Sequence, residues 1–111
     1  MTASARELFE HYNQGLIKCL PMKDTVFLEV LKRKGLLPDN VKTPLEKLSR
    51  AAERSSYFLE KIITAGFDRG DDSCFTNLLA AMKESNYDRV KDLALQIQNK
   101  LGMIYYWKIH R

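Results

Sequence analysis

The sequence predicts an all-α protein, an antiparallel bundle of six helices of which the third is short. Apolar residues recur at helical spacing along most of the chain, and the strict apolar–polar alternation of strands is absent. Glycines and prolines lie between the apolar segments, where they separate the helices by short loops. A chain of 111 residues is long enough for one domain with its own core and too short for two.

The first two helices are predicted by their apolar spacing and by the residues at their ends. Leucine or tyrosine occurs at every fourth position from 8 to 20, so we expect a helix over about residues 5–20 that ends at Pro21. The next apolar segment, VFLEVL, follows Asp24 or Thr25 as an N-cap and precedes Gly35 as a C-terminal stop.

The third and fourth helices are predicted to differ in length. Pro38 and Pro44 limit the third helix to about residues 39–42. The fourth helix is predicted from Leu45 to Gly66, because one face of that segment is apolar throughout. Four cations form a separate stripe on it, within about 60° of one another at 100° per residue; they are Lys47, Arg50, Arg54 and Lys61.

The segment DRGDDS, residues 68–73, includes Arg-Gly-Asp, a tripeptide that many adhesion ligands present to integrins. Its acids lack the spacing and the closing glutamate of an EF-hand calcium loop. Apolar residues return at helical spacing directly after it, so its last three residues stand where they could cap a fifth helix. We therefore interpret the segment as a turn between two helices.

The last helix is predicted from about Tyr87 to Leu101, with Ser85 or Asn86 as its cap and Gly102 as its stop. Residues 1–102 would then form the bundle. Residues 103–111, MIYYWKIHR, are an aromatic and basic tail that either folds back onto the core or extends the helix. Three consecutive aromatic side chains favour packing, and we expect Trp107 to pack.

No residue pattern in the chain is typical of an enzyme. The two histidines, His11 and His110, and the two cysteines, Cys19 and Cys74, have neither the spacing of zinc ligands nor that of a nucleophile with its base. A glycine-rich phosphate loop is also absent. We therefore expect no catalysis, no metal and no other cofactor.

The composition favours a cytoplasmic protein. Two cysteines are too few for a disulfide scaffold, and a reducing compartment is the simpler explanation. No apolar run has the length of a signal peptide or of a membrane span, so we expect no membrane partner. The net charge of +4 permits either nucleic acid or an acidic protein as a partner.

Six helices of this length and order resemble the death fold, a Greek-key bundle, and within it the caspase-recruitment domain, or CARD. The resemblance covers about residues 5–101. FLEVLKRKGLLPDNV, which follows LIKCLP, is similar to the family's leucine-rich second helix and short third helix. YFLEKIITAGFDRGDDSCFTNLLAAMKESNYDRVKDLALQI is similar to its Leu-Leu helix, glycine turn and two closing helices. Pro44 and the last nine residues depart from the family pattern.

The resemblance implies a non-enzymatic adaptor in apoptotic or inflammatory, innate immune signalling, which binds other CARD-containing proteins. Such domains commonly set a basic face of helices one and four against an acidic face of helices two and three, and head-to-tail repetition builds oligomers. The positions matching the basic face are Arg6, Lys18, Lys47, Arg50, Arg54 and Lys61. Those matching the acidic face are Asp24, Glu29 and Asp39, and a second acidic cluster consists of Asp68, Asp71, Asp72 and Asp88.

Cations dilute the predicted acidic face, which favours a separate acidic CARD as the partner over self-pairing into an oligomer. We expect Arg50→Glu or Arg54→Glu to leave the fold intact and to abolish partner binding. Three alternatives stay open. The basic stripe could be a solvated helix face paired with Glu46 and Glu53. The chain could be a small basic helical nucleic-acid binder that uses the aromatic and basic tail. It could also be a CARD-only decoy regulator, or equally a piece of a longer protein.

Overall fold

The computed structural model describes residues 4–109, apart from the side chains at positions 107 and 108. Within these residues the regular structure is entirely helical, and six helices follow one another as α1 (Ala5–Cys19), α2 (Thr25–Arg33), α3 (Asp39–Glu46), α4, α5 (Ser73–Lys83) and α6 (Asp88–Ile109). The fourth, α4, is an α-helix over Ala51–Phe58, a π-helix over Leu59–Thr64 and an α-helix again over Ala65–Asp68. The predicted all-α class with six helices is confirmed for this part of the chain.

Helix α1 lies between α4 and α6, with which it makes its main contacts. The other principal pairs are α2 with α5, α3 with α4, and α5 with α6. Arg6 at the start of α1 bonds Asp68 at the end of α4, so these two helices run antiparallel. The start of α4 therefore lies beside the end of α1, and this proximity forms the site described below.

Three phenylalanines from different helices join α1, α4 and α5 in the core. The ring centroids of Phe9 and Phe67 are 5.6 Å apart, those of Phe9 and Phe75 are 5.6 Å apart, and those of Phe67 and Phe75 are 5.7 Å apart. All three side chains are buried, and their rings are tilted or edge-to-face. Such pairs contribute about 0.5–1.5 kcal/mol each beyond the burial of their area.

Glycines in the left-handed conformation end α2 and α4 in the same way. Gly35 has φ +76° and Gly70 has φ +77°, a region that side chains other than glycine rarely enter. After α2 the N–H of Leu36 donates to the carbonyl of Leu31 at 2.9 Å, and after α4 the N–H of Asp71 donates to the carbonyl of Gly66 at 2.8 Å. These are the bonds of a Schellman cap. The predicted stop at Gly35 is confirmed.

The segment DRGDDS is the turn between α4 and α5, as expected. Arg69 and Gly70 complete the end of α4, and the carboxylate of Asp71 accepts the backbone N–H of Ser73 at 2.9 Å. This hydrogen bond and that from the Ser73 hydroxyl lower the pKa of the Asp71 carboxyl from its ordinary value of 3.8. Asp71 thus occupies the place at the start of α5 that sequence reasoning assigned to it.

The boundary between α3 and α4 differs from the prediction. Helix α3 continues past Pro44 to Glu46, and α4 begins at Ala51 and not at Leu45. Side chains bond the carbonyl groups at this boundary. Lys23 Nζ donates to the carbonyl of Ser49 at 3.0 Å, and Arg54 donates to the carbonyl of Leu48 in the loop and to that of Glu46 at the end of α3.

Helix α6 does not stop at Gly102, and that expectation was wrong. The helix continues to Ile109, so the tail extends it and does not fold back. Nothing lies within 4 Å of a Cβ built on Gly102, and an exposed glycine costs a helix only about 1 kcal/mol relative to alanine. Ile104 is buried beyond this glycine, so the core still holds the helix there. The expected packing of Trp107 and the position of His110 lie outside the described side chains.

In residues 4–109, no helix combines the length and the apolar composition needed to cross a membrane.

Candidate functional site

A groove of about 760 Å³ lies at the end of the bundle where α1 stops and where α4 and α6 begin. The chain between α1 and α2 forms its floor, and the first turn of α6 forms one wall. We call it the α1–α6 groove; its lining residues are Lys18, Cys19, Leu20, Pro21, Met22, Lys23, Asp24, Ala51, Asn86, Tyr87, Asp88, Arg89 and Val90.

Cations surround the α1–α6 groove. Lys18, Lys23 and Arg89 line it, and Arg50 directly precedes the lining residue Ala51. All four are exposed, and we call them the basic rim. Lys23 donates to a backbone carbonyl, which keeps its charge beside the groove. The ion pairs among the described residues all lie elsewhere, at Asp68 and Glu84, so no cation of the basic rim forms an ion pair within the described chain, although Asp24 and Asp88 also line the groove.

Asp24 forms the acidic part of the groove floor, and the fold uses both of its oxygens. Oδ1 caps α2 by accepting the N–H groups of Val26 at 2.8 Å and Phe27 at 3.4 Å. Oδ2 accepts the hydroxyl of Tyr87 at 2.7 Å, which ties α2 to the start of α6. The Tyr87 hydrogen bond and the two backbone bonds lower the pKa of Asp24 from 3.8, although desolvation opposes them. The same hydrogen bond raises the pKa of Tyr87 from 10.0.

Cys19 is the only thiol in the groove lining, and it is half-buried. Burial raises the pKa of the Cys19 thiol above its ordinary value of 9.0, and the charge of Arg89 opposes this only in part. The thiol is therefore protonated at neutral pH, which makes it a poor nucleophile. Among the described residues, no three His, Cys, Asp or Glu side chains lie close enough together to hold a metal ion.

The structure divides the predicted basic face into separate parts. Arg6 and Lys18 lie at opposite ends of α1, about 18 Å apart along its axis. Arg6 bonds Asp68 at 2.9 Å. Lys61 lies in the π-helical part of α4, with its Nζ 5.8 Å from the centre of the Tyr57 ring. Lys18 and Arg50 remain together at the α1–α6 groove, and Lys47 is exposed at the end of α3.

Arg54 is a structural residue, and its guanidinium is directed into the molecule. Nε donates to the carbonyl of Leu48 at 2.8 Å, Nη1 to that of Met22 at 3.2 Å and Nη2 to that of Glu46 at 3.1 Å. The end of α3, the loop after it and the chain after α1 are thereby held together. These bonds contradict the expectation that Arg54→Glu leaves the fold intact.

The predicted acidic residues are also distributed over the molecule. Glu29 and Asp39 are exposed on α2 and α3, whereas Asp24 is half-buried and occupied as described above. Asp68, Asp71 and Asp72 lie at the turn between α4 and α5. Asp88 lines the α1–α6 groove, at the other end of α1 from Asp68. The second acidic cluster was therefore predicted wrongly, because it joined residues from two ends of the bundle.

Sequence reasoning missed Lys23 and Arg89 as members of the basic rim. A signal existed for Arg89, because a cation in the first turn of a helix is opposed by the helix dipole and requires another explanation. Lys23 had no such signal, since its place depends on the close approach of the loops before α2 and before α4. No protein-family model, curated protein or solved structure matches this chain.

Proposed function

We propose that this chain is a CARD-type protein-interaction module that binds an acidic partner domain through the basic rim. The order of the helices supports the proposal. Three of the principal contacts, α1 with α4, α1 with α6 and α2 with α5, join helices that are not neighbours in the chain. Greek-key connections produce such contacts, whereas a simple up-and-down bundle packs mainly consecutive helices.

The single observation that carries the proposal is the set of cations without carboxylate partners around the α1–α6 groove. Lys18 and Arg89 line the groove, and Arg50, the N-cap of α4, directly precedes its lining residue Ala51. The four cations of the basic rim outnumber the two carboxylates of the lining, Asp24 and Asp88, so an acidic surface would complement the groove. Two of the four, Arg50 and Arg89, are arginines, and arginine pairs carboxylates with two parallel hydrogen bonds.

A separate acidic domain fits better than a second copy of the chain. The exposed acids of α2 and α3, Glu29, Asp39 and Glu46, are accompanied by Lys32 and by the Arg33 and Lys34 pair that shares Glu84. This face offers little net negative charge to a basic rim. We therefore assign the chain the basic role in an adaptor complex, without catalysis, and place it in the cytoplasm, which suits its two free cysteines.

Charge reversal tests the proposal. We expect a purified CARD with an acidic helix two and three face to bind the chain, and Arg50→Glu and Arg89→Glu each to lower the affinity at least tenfold, since buried interfacial charge pairs have couplings above about 1.4 kcal/mol. Lys83→Glu is the matched control, because it makes a charge reversal of the same size at an exposed position of α5 that does not line the groove. It should bind like the unaltered chain.

Three results would lead elsewhere. If Arg50→Glu and Arg89→Glu both bind the acidic domain normally, the basic rim is not the contact. Tight binding of an arbitrary oligonucleotide with a steep salt dependence would favour the nucleic-acid alternative. In sedimentation velocity across a concentration series, large species that become fewer at higher salt would indicate a self-assembling scaffold. A monomer at every concentration would fit an adaptor or a decoy.

A further inference from the structure

The outward side of α6 becomes apolar along its C-terminal half. Its inner side is buried against the core at Val90, Ala94, Ile97, Leu101 and Ile104. On the solvent side, within about 120° of one another at 100° per residue, lie four large apolar or aromatic residues. These residues, which we call the outer face, are Leu95 (48% exposed), Met103 (60%), Tyr106 (58%) and Ile109 (76%).

Such a face requires an explanation, because the solvent side of a surface helix is normally polar. Single exposed apolar residues are common, but here three of the four follow one another within seven positions, 103–109. Tyr105 adds a further partly exposed aromatic ring beside them, at 39%. Asn99 and Gly102 separate Leu95 from the other three, so the apolar part of the face is concentrated at residues 103–109. A cluster of exposed apolar side chains is typical of a surface that binds something.

The charge of the same segment indicates which kind of surface covers it. Residues 93–111 contain three cations, Lys100, Lys108 and Arg111, and no aspartate or glutamate, although the whole chain has 14 acids. Every acid of the protein therefore lies before residue 93. An apolar and aromatic segment whose charges are all cationic, helical here over residues 93–109, is typical of helices that lie in the interface of an anionic membrane.

We propose that the outer face of α6 binds an anionic lipid surface, with the helix axis in the plane of the membrane. Aliphatic side chains such as Leu95, Met103 and Ile109 would enter the acyl boundary, while the ring of Tyr106 would occupy the headgroup level. The flanking cations would attract the anionic headgroups. The sequence expectation of no membrane partner considered only spanning segments, whereas this contact lies on the surface.

Two other occupants fit less well. A second copy of the chain would bring two purely cationic segments together, and like charges oppose that contact. A nucleic acid would use the cations and the rings, but aliphatic residues such as Met103 and Ile109 cannot stack on bases as aromatic rings do. The contact is independent of the proposed CARD function, since the basic rim is formed by α1, α4 and the first turn of α6.

Vesicle binding by the full chain tests the proposal. Trp107 is the only tryptophan, so its fluorescence reports on the outer end of α6 alone. We expect co-sedimentation with vesicles of phosphatidylcholine containing about a third phosphatidylserine, a change of the tryptophan emission, and at least tenfold weaker binding to phosphatidylcholine alone. High salt should weaken the binding to the anionic vesicles.

Variants separate the apolar from the electrostatic contribution. The double variant Met103→Gln, Ile109→Gln keeps the charge and should bind the anionic vesicles at least about tenfold more weakly. Lys100→Glu should also weaken binding by about tenfold, whereas Lys83→Glu, with the same charge change on α5, should stay within about twofold. Circular dichroism verifies that each variant keeps its helices.

Three outcomes would overturn the proposal. The first is no binding to anionic vesicles at low salt. The second is binding that the Met103→Gln, Ile109→Gln variant leaves unchanged. The third is that vesicles leave the tryptophan emission unchanged while another occupant changes it. That occupant would be an oligonucleotide, or a second copy of the chain if the Met103→Gln, Ile109→Gln variant removes the effect. Binding of an acidic CARD that depends on Arg50 would be unaffected by any of these results, so the two proposals fail separately.

Discussion

Arg54 joins three segments of the chain, and we predict that replacing it with methionine destabilises the fold. Methionine keeps much of the apolar stem and removes the three donors. The carbonyls of Leu48, Met22 and Glu46 then lose their bonds of 2.8, 3.2 and 3.1 Å. The first two bonds are partly buried and the third is exposed, so water replaces the third most easily.

The expected magnitude follows from the two partly buried bonds. A hydrogen bond to a charged group contributes about 1.5–3 kcal/mol net, and bonds made by one side chain are not additive. Because water reaches part of the site, we expect the free energy of unfolding to fall by about 2–4 kcal/mol. At about 4 °C per kcal/mol for a domain of this size, the melting temperature would fall by about 8–16 °C.

Thermal unfolding followed by circular dichroism at 222 nm measures this directly, with urea unfolding as a second determination of the free energy. The matched control is Arg50→Met, which makes the same substitution four residues earlier at an exposed position. It should melt within about 2 °C of the unaltered chain. If Arg54→Met also melts within about 2 °C, the three bonds do not hold these segments together and our account of the α3–α4 boundary is wrong.

Three further substitutions test the local structure. Gly70→Ala should destabilise the fold by about 1–2 kcal/mol, because the left-handed backbone and not a clash opposes a side chain there. Gly102→Ala should stabilise it by about 0.5–1 kcal/mol, since this glycine is inside α6 with open space around it, and equal signs for the two changes would contradict one of these two predictions. Tyr87→Phe should lower the melting temperature at neutral pH by removing the bond to Asp24. Because the folded pKa of Asp24 lies below 3.8, that difference should shrink as the pH falls below 3.8, and a constant difference down to about pH 2 would refute it.

The helices were predictable wherever local patterns determine them. Apolar spacing places α1, α2 and α5, and the glycine stop at Gly35 follows from a conformation that only glycine adopts readily. The predicted end of the fourth helix at Gly66 was wrong, because the helix continues to Asp68 and the left-handed glycine that ends it is Gly70. The α3–α4 boundary was not predictable in this way. It depends on hydrogen bonds from Lys23 and Arg54, which are 26 and 6 residues from their respective acceptors, Ser49 and Leu48.

The candidate site was predictable only in part, for the same reason. A stripe on a single uniform helix is a local property, and it correctly marked Arg50 as exposed and basic. It also included Arg54, whose guanidinium the fold uses internally, and it could not include Arg89, which arrives from another helix. A surface formed by three helix ends depends on packing that no single segment encodes.

The π-helical part of α4, Leu59–Thr64, has a consequence for any comparison of this chain with another sequence. A π-helix inserts extra chain into an α-helix without breaking it, so the residues after the insertion are rotated relative to those before it. Phe58 before the π-helical part and Phe67 after it are both buried in the core, because the helix is rotated between them. A related chain with an uninterrupted fourth helix would therefore align with this one only if a one-residue gap were placed between positions 59 and 64. An alignment without that gap would pair buried residues after position 64 with exposed ones.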